Sequence, residues 1–307
     1  MLFLIILLLI ITIVLLISKI TYNMAFKRDL KTEDIHNIPN GEAYQKSKSS
    51  FIQMIDKFDS IPYKDVYITS HDGLKLHAKY YHTQDNAPIS ICFHGYRATS
   101  VRDFCGGVEI CFKHGHNVLL IDQRAHGKSE GKTISFGIKE RHDCISWINY
   151  AKEIHPNSKI LLYGISMGAA TIIMASELIQ DKRIVGIVAD SPYSSPTEII
   201  KKVCSEDMHI PSTLAYPFIY LGALIYGHFN LHETSCLSSI TKSKIPILII
   251  HGEQDGFVPC EMSKKLHNAA SHNVQLVTFP EADHGLSYIV NKQNYENIVN
   301  TFLADII

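Results

Sequence analysis

The residues Lys159-Ile160-Leu161-Leu162-Tyr163-Gly164-Ile165-Ser166-Met167-Gly168-Ala169-Ala170 govern how the rest of the chain is read. Lys159–Tyr163 is a short, largely apolar run that suits a strand buried on both faces. It ends in Gly164-Ile165-Ser166-Met167-Gly168, and a helical run follows. This is G-x-S-x-G between a strand and a helix. A serine on so tight a turn needs neighbours without side chains, and the helix N-terminus beyond it supplies N–H groups free of helical partners. The pattern marks Ser166 as a nucleophile. The bland alternative is a glycine-flanked N-cap serine.

Outward from this turn, strand-like runs alternate with helix-like runs. Asp65–Thr69 and Leu74–Tyr80 alternate in period two around His71-Asp72-Gly73, as in a β-hairpin. Ile89–Phe93, Asn117–Ile121, Ile184–Ala189, Ile245–Ile250 and Val274–Phe279 repeat the short apolar run. Ile138–Ile154 and Ser287–Leu303 carry apolar residues at helical spacing. Such alternation predicts an α/β fold, a mostly parallel eight-stranded sheet with helices on both faces. In such sheets ligands sit beyond the carboxyl ends of the strands.

Serine at its ordinary pKa is a weak nucleophile and needs a base and an orienting acid. His284, in Glu281-Ala282-Asp283-His284-Gly285, follows the Val274–Phe279 run. That position singles it out among 17 histidines. Asp255, in His251-Gly252-Glu253-Gln254-Asp255-Gly256, lies on the loop after the preceding strand and is the favoured acid. Asp190, Glu253 and Asp283 are its rivals; Asp190, after the Ile184–Ala189 run, is the most serious, because some hydrolases of the type this pattern resembles carry the acid there. The order Ser166, Asp255, His284 is that of an α/β hydrolase. Two N–H donors are needed for a developing oxyanion. Met167, directly after the serine, is one candidate; Tyr96, in His94-Gly95-Tyr96-Arg97 after the Ile89–Phe93 run, is the other. His94 reads as structural.

The chain begins Met1-Leu2-Phe3-Leu4-Ile5-Ile6 and remains apolar to Ser18, interrupted only by Thr12. As a helix of about 1.5 Å per residue it spans roughly 27 Å, near the thickness of the hydrocarbon layer. It lacks both a basic start and a small-residue cleavage site, so a retained single-pass anchor over 1–18 is expected, with an uncleaved or cleaved signal as the alternative. Lys19, Lys27, Arg28 and Lys31 follow it, and the positive-inside rule then puts the large domain on the cytoplasmic side. Residues 19–61 read as a polar stalk and lead-in. Residues 62–307 form the folded domain.

With 307 residues, 46% hydrophobic, 19% charged and a formal charge of -1, the chain is neither disordered nor a basic nucleic-acid binder. Its seven cysteines are odd in number and form no C-x-x-C pair, which favours free buried thiols over disulfides or zinc. Ser239-Ile240-Thr241-Lys242 is an S-x-x-K without the companion motifs of a penicillin-recognising enzyme.

His94–Ser100, Asp122–Gly131, Gly164–Gly168, His251–Pro259 and Ala282–Gly285, in this order, resemble the α/β-hydrolase superfamily. Within it the chain is similar to the serine aminopeptidase-like branch, and to bacterial hydrolases of the YqkD type with one N-terminal membrane segment. The resemblance covers about 62–307. It implies a serine nucleophile, no cofactor and no metal. It also implies a structural Asp122–Gly131 loop, with no chemistry for Arg124 or His126, and a small helical lid at about 191–235. That segment carries Tyr193, Tyr216, Phe218, Tyr220, Tyr226 and Phe229, either lining a site for an acyl or aromatic group or serving as core. The expected activity is hydrolysis of an ester in a small-molecule acyl substrate through an acyl-enzyme. Peptidase, thioesterase and acyltransferase remain variants of the same chemistry, and a non-catalytic scaffold is the reading from another class.

Overall fold

In the computed structural model, which describes residues 1–32 and 34–306, eight strands form one sheet in the order β1-β2-β4-β3-β5-β6-β7-β8. They are β1 (Lys64–Thr69), β2 (Lys75–Tyr81), β3 (Ile89–Phe93), β4 (Asn117–Asp122), β5 (Ile160–Ile165), β6 (Ile184–Asp190), β7 (Ile247–Gly252) and β8 (Val274–Phe279). β1 pairs antiparallel with β2, and β2 with β4; every later pairing is parallel. The apolar runs therefore lie where they were expected.

The period of two explains why these strands are apolar throughout. Ile91, Leu119, Leu162, Ile187 and Ile249 belong to the core on one face of the sheet, and Cys92, Leu120, Leu161, Val188 and Leu248 to the core on the other. Helices Glu140–Ile154 and Met167–Ser176 cover the first face around the buried Trp147, and helix Lys292–Ile306 helps cover the second through Tyr295, Val299 and Phe302. The final helical run is divided. Ser287–Val290 and Lys292–Ile306 are separate helices, and Asn291 Oδ1 accepts the N–H of Asn294 at 3.1 Å to start the second.

Helix α1 (Leu2–Ala25) has 24 residues and is, among the described residues, the one helix long and apolar enough to cross a membrane. The Thr12 hydroxyl donates to the Leu8 carbonyl, so its one early polar group is satisfied within the helix. The helix does not stop at Ser18. Its last turns lie on the domain, where Tyr22 is buried and bonds Thr133 through hydroxyl oxygens 2.6 Å apart. Phe26, fully buried, packs edge-on against Phe136 and Phe229.

Residues 19–61 thus differ from the expected polar stalk. Beyond Phe26, helix Lys48–Asp59 buries Phe51, Ile55 and Phe58 against the second face of the sheet. The i, i+4, i+7 spacing of these three residues, set among polar ones, is the signal that would have shown it. Arg28 ties the same segment to the Asp122–Gly131 loop, donating to the carbonyls of Ser129 and Gly127.

Between β6 and β7 the chain makes a helical insertion. Its pieces are Pro196–Lys202, Val203–Asp207, Ser212–Gly222 and Ala223–Gly227. The Ser212–Gly222 helix crosses α1 at Gly222, where a Cβ would lie 2.5 Å from the Ser18 carbonyl oxygen, so only glycine permits this approach. Tyr226 donates from its hydroxyl to the Leu15 carbonyl at 3.1 Å. All seven cysteines are buried and none is in a disulfide.

Candidate active site

Ser166 stands at the end of β5 with φ 54° and ψ −117°, a left-handed conformation that a non-glycine residue adopts at a cost of about 1–3 kcal/mol. Packing over-determines it. A Cβ on Gly168 would fall 1.9 Å from the Phe93 carbonyl oxygen, and one on Gly164 would lie 2.5 Å from the Ala169 nitrogen. Both glycines are therefore needed to let helix Met167–Ser176 start against β3 and β5. The Ser166 N–H donates to the Asp190 carbonyl at 2.8 Å, which fixes the turn to β6.

The three residues separated along the chain meet here. Ser166 Oγ lies 2.9 Å from His284 Nε2, and His284 Nδ1 lies 2.7 Å from Asp255 Oδ2. The arrangement corresponds to Ser166 donating to the imidazole and the imidazole donating to the carboxylate. Asp255 Oδ1 accepts the N–H groups of Phe257 at 2.9 Å and Val258 at 2.7 Å, so the carboxylate cannot rotate away. The β7 and β8 loops clasp each other: Glu253 and Gln254 donate to the carbonyls of Phe279 and Ala282, and a Cβ on Gly252 would strike the Ala282 oxygen.

Burial opposes a negative Asp255, yet the facing His284 and His251 more than offset it and hold the acid below the usual carboxylate range. Burial likewise pushes His284 down, but the Asp255 carboxylate outweighs it, with Asp190 and Asp103 adding, and the imidazole sits above its ordinary value. Of the rival acids, Asp190 accepts hydrogen bonds from the Tyr295 and Ser191 hydroxyls, both at 2.9 Å, and burial raises its pKa. Glu253 accepts from Thr278. Asp283 accepts the N–H groups of His284 and Gly256, shaping the loop rather than facing the ring.

One residue escaped the sequence reading. His251 is fully buried behind the acid, with Nε2 2.8 Å from the Val258 carbonyl and 3.1 Å from Asp255 Oδ2, and Nδ1 2.6 Å from Ser263 Oγ. Its place, four residues before Asp255 at the end of a strand, was the available signal.

The candidate oxyanion donors flank the serine. A Cβ on Gly95 would lie 3.4 Å from Ser166 Cβ, so the β3 loop passes directly beside the nucleophile. The N–H groups of Tyr96 and Met167 make no hydrogen bond among the described residues. The loop is held from several sides. Asp103 accepts the Gly95 N–H at 2.7 Å. His94 bonds the Gly95 carbonyl and the Gln123 N–H through its two nitrogens. Burial pushes His126 down to about 3, so it remains neutral, and its Nε2 accepts the Arg97 N–H at 3.1 Å. Tyr96 and Arg97 also reach α1: the Tyr96 hydroxyl donates to Ala25, and Arg97 donates to Met24 and Lys27, in each case to a carbonyl.

Two cavities reach Ser166. One, of about 430 Å³, is bordered by Tyr44, Arg102, Asp103, His284 and Tyr288. The other, of about 330 Å³, is apolar and bordered by the end of α1 and by the insertion. Of the insertion's aromatic residues, Tyr193 lines this second cavity. Tyr216 and Tyr220 stack on each other beside His232, and Tyr226 and Phe229 pack against Tyr22 and Phe26.

Elsewhere, His71, Asp72 and Asp143 bring possible ligand atoms within 4.8 Å of one another. Arg124 already spans both carboxylates, at 2.6–3.0 Å, so a cation occupies that role and the Asp122–Gly131 loop is braced by it.

The serine aminopeptidase (S33) family model matches residues 85–215, and the dienelactone hydrolase family model matches residues 216–298. Taken with the sheet and its order, these give the chain the α/β-hydrolase fold. Within that class it resembles the S33 branch and YqkD, an uncharacterised protein of Bacillus subtilis, with 28% identity over 190 residues that span 62% of each chain. An uncharacterised membrane protein of Saccharomyces cerevisiae is 24% identical over 82% of this chain and 84% of its own. An esterase of Pyrococcus furiosus superimposes with a TM-score of 0.65 and 28% identity, over 80% of this chain and 93% of that one.

Proposed function

We propose that this hydrolase is a membrane-anchored serine esterase working through an acyl-enzyme. The observation that carries the reading is the continuous hydrogen-bond chain from Asp255 through His284 to Ser166. His284 takes the Ser166 proton as Oγ attacks the ester carbonyl. Asp255 holds the imidazole in the tautomer that leaves Nε2 free to accept, and stabilises the imidazolium once formed. The N–H groups of Tyr96 and Met167 receive the oxyanion, each worth about 3 kcal/mol of transition-state stabilisation. His284 then protonates the departing alcohol, and water, activated by the same imidazole, releases the acid.

An ester is favoured over a peptide by the apolar cavity beside Ser166 and by the likeness to an archaeal esterase. Anchoring rests on α1 and on the likeness to a yeast protein described as a membrane protein. The basic residues that follow the apolar run orient the domain to the cytoplasmic side. The deciding experiment is labelling by a fluorophosphonate probe: the wild-type chain is labelled and Ser166→Ala is not. A wild-type chain that resists the probe and hydrolyses neither p-nitrophenyl butyrate nor aminoacyl anilides refutes the catalytic reading and leaves a binding scaffold.

A further inference from the structure

We propose that the apolar chamber beside Ser166 takes the acyl chain of an ester held in the bilayer, entering between the end of α1 and the helical insertion. The inference rests on the reading of Ser166 as nucleophile and names the substrate class for that site. Its first support is the composition of the wall. Met24 and Ala25 come from α1, and Ile199, Val203, Ala215 and Ile219 from the insertion. Among the described residues, Arg97 is the one charged residue on it, and its guanidinium is turned to the carbonyls of Met24 and Lys27. Such a chamber offers an alkyl chain apolar contact along most of its wall.

The second support is where the chamber opens. Met24 from α1, and Met208 and Ile210 from the insertion, line the chamber and are also 52%, 41% and 41% exposed. They form an apolar rim with one side on each element. Exposed apolar rims are unfavourable in water and suit a lipid surface. The third support fixes the height of that rim. The insertion grips α1 at Leu15 and Ser18, within the apolar run that suits the bilayer, while Leu224 and Ile225, beside the same contact, stand exposed. A bilayer accommodating Leu2–Ser18 therefore brings its surface to the insertion and to the mouth of the chamber.

In the reaction, the acyl chain lies in this chamber and the ester carbonyl at Ser166. The bond from Oγ to the carbonyl carbon forms, the bond to the alcohol oxygen breaks, and the proton passes from Oγ through His284 Nε2 to the alcohol. The alcohol leaves through the larger cleft bordered by Tyr44 and Asp103. Water then releases the fatty acid.

The test uses the full chain reconstituted in phosphatidylcholine vesicles and p-nitrophenyl esters from butyrate to palmitate. Ala25→Trp and Ala215→Trp fill the chamber from its two walls. Each is expected to lower the laurate-to-butyrate ratio of kcat/KM by about tenfold or more. Met24→Ala, which enlarges the rim and survives even if the tryptophan variants misfold, is expected to move the preferred chain length upward. Diluting p-nitrophenyl palmitate with more lipid in the same vesicles, at constant bulk concentration, should lower the rate in proportion to its surface fraction. Ratios unchanged in all three variants, with Ser166 still labelled by fluorophosphonate, overturn the chamber assignment alone. A rate that follows bulk concentration overturns delivery from the bilayer. Loss of labelling in the wild-type chain refutes the serine-hydrolase reading itself.

Discussion

The Tyr96 hydroxyl donates a 2.8 Å hydrogen bond to the carbonyl of Ala25, the last residue of α1. A candidate oxyanion donor is thereby joined to the end of the apolar helix, and Arg97 adds two further bonds to the carbonyls of Met24 and Lys27. Tyr96→Phe keeps the backbone N–H but removes one of the loop's ties to the end of α1, leaving those of Arg97. Loss of one such bond is worth about 1 kcal/mol, so kcat on p-nitrophenyl butyrate is expected to fall roughly fivefold. KM should move less, because the N–H acts on the transition state. A steady-state comparison of the two proteins checks this.

Ser166→Ala and His284→Ala are each expected to reduce kcat by several orders of magnitude. Asp255→Asn should cost about 10⁴-fold, since an amide in place of the carboxylate favours the wrong imidazole tautomer. Asp190→Asn should be mild in rate, because Asp190 bonds Tyr295 and Ser191 and has no hydrogen bond to His284. The opposite ranking of the two asparagine variants would reassign the acid.

The pH profile follows from His284. Protonated imidazole cannot accept the Ser166 proton, so kcat/KM falls as pH drops through its pKa. Burial lowers that pKa but the Asp255 carboxylate raises it further. The acid limb is therefore expected above the ordinary imidazole value of about 6.5. In Asp255→Asn the residual activity should show this limb displaced to lower pH. A rate profile from pH 5 to 9 on each protein measures both.

Ile55 is fully buried in the core on the second face, far in sequence from the strands it covers. Ile55→Ala should destabilise the domain by about 3 kcal/mol, seen as a lower urea midpoint. An unaltered midpoint would show that helix Lys48–Asp59 is not part of the folding unit.

Deleting residues 2–14 removes most of the exposed apolar run and keeps every α1 residue named above in contact with the domain. The shortened chain is expected in the soluble fraction with Ser166 still labelled by fluorophosphonate. Deleting 2–25 takes away Met24, Ala25 and the partner of Tyr96, and should abolish turnover. Fractionation and labelling of the two deletions distinguish a detachable anchor from a helix that completes the site.

Local pattern made much of this molecule legible. Strand runs such as Ile89–Phe93 are apolar at every position because both faces of the sheet are covered, and that continuity survives in one dimension. The glycines around Ser166 and the places of Asp255 and His284 after strand ends are also local, since a βα-loop lies just beyond its strand in the chain. The helix over Leu2–Ser18 was visible because its apolar residues run on with no polar stripe.

What only the tertiary structure decided are contacts between segments whose own patterns carry no record of the partner. Asp255 rather than Asp190 faces the His284 ring because the β7 and β8 loops clasp, bringing its carboxylate to 2.7 Å from Nδ1. His251 behind it, Ile55 under the sheet, and the crossing of Ser18 over Gly222 are of the same kind. So is the meeting of α1 with the Tyr96–Arg97 loop. The sequence by itself determined the strands, the turn and the apolar helix, whose causes lie within a few neighbouring residues. The structure determined where that helix ends, against the Tyr96–Arg97 loop beside the serine, because long-range packing depends on shape and distance rather than on spacing along the chain.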